Sequence, residues 1–156
     1  MIGVVRARDH RAQIAAAVEA MRAAAPLVHG ATGSVTRALV ADGLLAAGAR
    51  PMLTESEQEA PTLVGVADAL LVNLGSLSGD GMAGLLPTAR AAATHGVPWV
   101  LDPTAIGLAP VRTPLAHELL ALGPTVVRGN ASEVLTLAGG SGGGRGADST
   151  LGPDAA

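Results

Sequence analysis

The sequence predicts an α/β fold, a parallel sheet with helices on both faces. Three observations carry that expectation. Short runs that are apolar throughout alternate along the chain with longer stretches of helical period. These runs do not alternate polar with apolar residues, so both faces of each strand are expected to be covered. A helix-length segment separates each run from the next, as parallel strands joined by right-handed crossovers require.

Asp9 is expected to cap a first helix reaching about Ala24, with Ile14, Val18 and Met21 along one stripe. The run from Pro26 to His29 reads as a strand, and the small residues from Gly30 to Ser34 as a loop. A second helix spans Val35 to Ala47, with Leu39, Leu44 and Leu45 facing inward and Gly48 as its stop. The run from Pro51 to Leu53 is a short second strand. Helix is expected from Glu57 to Val66, although Pro61 sits awkwardly inside it. The third strand is Ala69 to Asn73. It is followed by a helix from Gly79 to His95 with Met82, Leu85 and Leu86 inward and Gly96 ending it. The run from Val97 to Leu101 makes the fourth strand, Thr113 to Leu122 a helix, and Thr125 to Arg128 the fifth strand. Asn130 caps a last helix to about Ala138. Residues 1–138 therefore read as one ordered unit, and the Gly-rich tail 139–156 as a disordered one.

The chain has 156 residues, of which 49% are hydrophobic and 15% charged, enough for a single core. No run approaches the ~20 apolar residues of a membrane helix, and the first eleven lack the apolar centre of a signal peptide. The expectation is a cytoplasmic protein with no membrane partner. Cysteine is absent, which excludes disulfides, a thiol nucleophile and zinc–cysteine sites. All ten basic residues are arginine, so Schiff-base chemistry and a P-loop lysine are excluded. Trp99 is the one aromatic residue of the Phe, Trp and Tyr types, and the net charge is −3; neither suits a nucleic-acid partner.

In open parallel sheets ligands bind beyond the carboxyl ends of the strands. Small and polar residues gather at each such point: His29 to Ser34, Leu53 to Glu55, Asn73 to Ser76, Asp102 to Thr104 and Arg128 to Asn130. Asp102 can hold magnesium through water, or satisfy backbone amides in its own turn before Pro103. Asn130 and Glu133 approximate a capping box, or face a metal-bound phosphate. Arg128 can pin a phosphate with its planar fork, or be a solvated strand end. The segment Thr32-Gly33-Ser34 can present amides to an anion, or Ser34 can simply cap the next helix. His29 can be a base or a structural histidine.

The phrases PLVH (26–29), ADGLLAAGARP (41–51), ADALLVNLGSL (67–77), HGVPWVLDP (95–103) and VVRGNASEV (126–134) carry a resemblance. From about Pro26 to Ala138 the chain resembles the hydroxyethylthiazole kinases, and GRGADST (144–150) is similar to a later family segment. The resemblance implies a ribokinase-like fold and a homotrimer with active sites between subunits. It also implies phosphorylation of 4-methyl-5-(2-hydroxyethyl)thiazole by ATP with Mg2+, in thiamine biosynthesis and salvage. Asp102 and Glu133 match the family's metal and phosphate carboxylates, and Arg128, with Asn130 beside it, its ATP and phosphate contacts. Val35 and Leu53 fall on thiazole-binding positions; the family has methionine at the latter, and Met52 lies beside it.

Some positions depart from the family pattern. Gly33 and Ser34 stand where the family has two asparagines, and TAIGLAPVR (104–112) where it tends to read VGAGATPFR. Members of the family are longer, and their later half carries a glycine-rich anion hole, a cysteine and most of the adenine pocket. The resemblance therefore implies an amino-terminal portion with an incomplete fold, no catalytic residue of its own and weak or no turnover. The alternative is a non-catalytic small-molecule-binding or assembly module derived from such a kinase.

Overall fold

Each apolar run forms a strand, and the first five strands pair only in parallel. The computed structural model describes residues 7–140, 144–145 and 148–149. In chain order the elements are α1 (Ala7–Ala24), β1 (Leu27–Ala31), α2 (Arg37–Ala47), β2 (Arg50–Met52) and α3 (Ala60–Leu63). A 3-10 turn at Val64–Val66 leads to β3 (Ala69–Asn73), α4 (Gly79–His95), β4 (Trp99–Asp102) and α5 (Arg112–Ala121). Then come β5 (Val126–Val127), α6 (Ala131–Leu137), β6 (Gly144–Arg145) and β7 (Asp148–Ser149). The five-stranded sheet has the order β2-β1-β3-β4-β5. The chain steps outward from β1 to β2, then returns past β1 to β3, β4 and β5. Right-handed crossovers therefore put α2 on one face and α3, α4 and α5 on the other. Contacts agree: α1 packs on α2, while α3 to α6 touch in succession.

Register decides what each face receives. His29, Leu70 and Trp99 lie side by side, as do Ala31, Val72 and Leu101. In a parallel sheet such neighbours share a face. Leu70, Val72, Trp99 and Leu101 are buried with Leu85, Ala89 and Ala92 of α4 and Leu115, Ala116 and Leu119 of α5. The intervening row, Gly30, Leu71, Val100 and Val126, points the other way. There Leu71 and Val100 are half-buried and Val126 is 51% exposed. Helices lie on both faces, but the cover is unequal.

Cap chemistry sets the length of α4. The Ser78 hydroxyl accepts the Gly81 N–H at 2.9 Å, and Gly96 at φ +69° ends the helix in the left-handed conformation. Elsewhere the structure corrects the sequence reading. Asp9 lies inside α1 rather than capping it, and Ile14 is 62% exposed. Helix α2 starts at Arg37, its N-cap is Thr36 rather than Ser34, and it has no buried residue. Leu39 and Leu45, expected to face inward, are 74% and 58% exposed. The helical period correctly gave a stripe, but of its three leucines only Leu44 is half-buried. Helix from Glu57 shortens to Ala60–Leu63, because a turn at Ser56–Glu59 precedes it and Pro61 takes a first-turn position, where its missing N–H is harmless.

The tail is not featureless. Gly139 and Gly140 donate back to the Thr136 and Leu135 carbonyls, and β6 pairs antiparallel with β7. The rest of the expected disordered segment lies outside the described residues. Among the described residues no helix is long and apolar enough to cross a membrane.

Candidate functional site

Parallel strands bring their carboxyl ends to one rim, and β4 and β5 deliver four of the predicted residues there. Asp102 is the last residue of β4 and pairs in register with Asn73 of β3. It is only 8% exposed. Its Oδ2 accepts from Arg128 Nη1 at 2.9 Å, and its Oδ1 accepts from the Thr104 hydroxyl at 2.7 Å. The Arg128 side chain is 74% exposed, so the ion pair is heavily screened and contributes little to stability.

Glu133 is 5% exposed, and each of its carboxylate oxygens accepts a backbone N–H. Its Oε2 accepts the Asn130 N–H at 2.9 Å while Asn130 Oδ1 accepts the Glu133 N–H at 2.9 Å, a complete capping box. Its Oε1 accepts the Ala105 N–H, also at 2.9 Å. Ala105 has φ +61°, a strained conformation for a residue with a Cβ, so Glu133 ties the strained turn after β4 to the start of α6. A side chain at Gly129 would press on Glu133, which explains the glycine. Thr104, Arg128, Gly129, Asn130 and Glu133 line a cleft of about 190 Å³.

The thiazole candidates lie at the other end of the rim, across β3. Val35 precedes α2 and is 78% exposed. Met52 ends β2 in register with His29, whereas Leu53 lies over Gly30, where a Cβ would stand 2.5 Å from Leu53 Cδ2. The two neighbours therefore project to opposite faces. Gly33 is pressed against the Gly75 and Ser76 carbonyls, leaving no room for any side chain, so an asparagine there would drive the two loops apart. Ser76 itself has φ +50°.

His29 is buried, and its Nε2 donates to the Thr54 carbonyl at 2.8 Å. Its Nδ1 has no hydrogen-bond partner among the described residues. Burial pushes its pKa below 6.5, with the bond to Thr54 opposing. It is a structural histidine that ties β1 to the segment after β2, and it does not join the Asp102 cluster.

The sequence reading missed Arg37, whose Nη2 lies 2.9 Å from Glu55 Oε1. Ser78 donates to the same oxygen at 3.0 Å. These partners come from the first residue of α2, the segment after β2 and the N-cap of α4, and no local spacing links them. Thr104 was visible in the polar group after the fourth strand and as a departure in the loop after Asp102.

The profile of the hydroxyethylthiazole kinase family matches residues 18–156. The chain belongs to that family. A hydroxyethylthiazole kinase of Klebsiella pneumoniae is 48% identical over 130 residues, which cover 83% of this chain and 51% of the relative. The family member of that name from Kineococcus radiotolerans is 48% identical over 143 residues, covering 92% and 52%. A solved structure of a hydroxyethylthiazole kinase protein from Pyrococcus horikoshii OT3 superposes with a TM-score of 0.75 at 34% identity, over 79% of this chain and 48% of that one. The chain spans about half the length of the curated relatives it matches.

Proposed function

We propose that this chain carries part of the phosphoryl-transfer site of a hydroxyethylthiazole kinase, in which ATP phosphorylates the hydroxyl of 4-methyl-5-(2-hydroxyethyl)thiazole for thiamine biosynthesis. The supporting observation is the cleft at the carboxyl rim lined by Thr104, Arg128, Asn130 and Glu133, with Asp102 bonded to two of its lining residues, Thr104 and Arg128. Phosphoryl transfer depends on positioning and charge stabilisation, and these residues are suited to both. The exposed fork of Arg128 is free to turn from Asp102 to a phosphate. Asn130 and Glu133 hold the opening turn of α6 and the Ala105 turn rigid beside it.

Among the described residues no three His, Cys, Asp or Glu side chains come together as a metal cage. Each carboxylate oxygen of Asp102 and Glu133 accepts one protein hydrogen bond and keeps a second lone pair. That donor set fits Mg2+, which keeps several waters and takes phosphate oxygens alongside one or two carboxylates. When bound with ATP, the ion would neutralise phosphate charge. On the other side of β3, Val35 and Leu53, with Met52 beside them, are the residues we assign to the thiazole. The exposed Val35, Leu39 and Leu45 leave apolar surface on the α2 side, which is where we place the contacts of the homotrimer.

The test is calorimetric titration of the chain with ATP and Mg2+, followed by assay of thiazole phosphate. ATP binding that falls by about tenfold or more in Arg128→Ala supports the assignment. Equal binding by the two proteins sinks it. The exposed α2 face also favours a second reading, a binding or assembly module without turnover; thiazole binding with no phosphate product would select it.

A further inference from the structure

The rim contains a one-way chain of hydrogen bonds whose direction is fixed by its first member. Asn73 Oδ1 accepts the Gly75 N–H at 2.9 Å, which orients the amide and leaves Nδ2 as the donor to Thr104 Oγ1 at 3.0 Å. The Thr104 hydroxyl, having accepted, gives its single proton to Asp102 Oδ1 at 2.7 Å. Asp102 Oδ2 remains for Arg128, at 2.9 Å. Asn73 and Asp102 are register neighbours on β3 and β4, so the relay staples two strand ends through the loop that follows the second.

A carboxylate turns readily about its last torsion, so a buried Asp102 without a partner on one oxygen has no fixed orientation. Arg128, long and mostly exposed, cannot impose one. A charge-assisted bond from a half-buried hydroxyl, itself polarised by the Asn73 amide, can. We propose that Thr104 is a positioning residue of the nucleotide site: through Asn73 it commits Asp102 Oδ1 and leaves Oδ2 for Arg128, which lines the cleft. This rests on the reading of the rim as the ATP site. Thr104 is one of the departures in the loop after LDP, so the chain supplies from that loop a hydroxyl that the resemblance does not lead one to expect there.

The experiment compares the full chain with Thr104→Val, Thr104→Ser and Asn73→Asp. Circular dichroism first establishes that each is folded. The side-chain amide resonances of Asn73, read by 15N-edited NMR without nucleotide, report the relay itself. They should move and exchange faster in Thr104→Val and stay near the parent in Thr104→Ser. ATP–Mg2+ affinity, read by calorimetry, should weaken about fivefold in Thr104→Val, the scale of one charge-assisted hydrogen bond acting indirectly, and be restored by Thr104→Ser. Asn73→Asp should weaken ATP binding similarly even if Thr104→Val fails to fold, because the carboxylate at position 73 draws the threonine proton away from Asp102. Unchanged Asn73 resonances in a folded Thr104→Val would overturn the relay. An intact relay effect with unchanged ATP affinity would overturn its role at the nucleotide site. If neither the parent nor any variant binds ATP, the nucleotide reading of the rim fails, and the Asn73 resonances still decide whether the relay exists.

Discussion

The two ends of the sheet use similar apolar sequence to different ends. Around β3, α4, β4 and α5 the leucines and alanines are spent inward: Leu70, Val72, Leu85, Ala89, Leu101 and Leu119 are at most 1% exposed. Along α2 they are not. Helix α2 buries no residue, yet Leu39, Leu44, Leu45 and several alanines make it one of the more apolar helices of the chain. The first region is where packing holds the fold together. The second presents apolar surface next to Val35 and Leu53, the residues assigned to the thiazole. The difference teaches that apolar sequence marks surface that must be covered, without saying by what.

The largest effect is expected in the core. Leu101→Ala should destabilise the chain by about 2–5 kcal/mol, because β4 is sandwiched between β3, β5 and α4 and the space left by the side chain cannot collapse fully. Denaturant titration checks it; a loss under about 1 kcal/mol would mean that the packed region is not the stable one. The next effect is at the rim. Glu133→Ala removes one half of the capping box and the bond holding Ala105, and should lower stability by about 1–2 kcal/mol in the same measurement.

A pH profile probes the junction between β1 and the segment after β2. Burial holds His29 neutral, with a folded pKa below its unfolded value of 6.5. The unfolded state therefore binds the extra proton first, and stability falls as pH drops below 6.5 toward the folded pKa. Thermal melts between neutral and mildly acidic pH should show this slope, and His29→Gln should flatten it. A parent chain equally stable across that range would contradict the buried neutral histidine.

The smallest effect is expected on the exposed face of α2. Leu39→Ser should change the stability of the isolated chain by less than about 0.5 kcal/mol, since nothing packs on that side chain. If the α2 face joins copies of the chain, the same substitution should shift sedimentation toward monomer. A large loss of stability in a chain that stays monomeric would show that α2 is part of the core after all.

Much of the architecture was legible in the residues. The runs 69–73 and 97–101 announced themselves because strands buried within a parallel sheet have no polar alternation. Gly48 and Gly96 marked helix ends because left-handed caps favour glycine. Asn130 with Glu133 read as a capping box because that motif is local, and both of its bonds are present. Val35 to Ala47 misled for the complementary reason: periodicity shows which side of a helix is apolar, not whether that side is covered.

What the sequence determined alone is therefore whatever depends on neighbours a few residues away. That covers strand and helix order, caps, the parallel connectivity, and the placing of polar residues after each strand. Tertiary structure decided what depends on distant partners. The Asn73–Thr104–Asp102 relay spans 31 residues at its first step, and Arg128 reaches Asp102 across 26. The contact of Gly33 with the Gly75 and Ser76 carbonyls joins two loops in the same way. Side chains so far apart in sequence meet only because β1, β3, β4 and β5 end at one rim. Hydrogen-bond direction and steric exclusion operate over about 3 Å, a scale that only the assembled sheet defines.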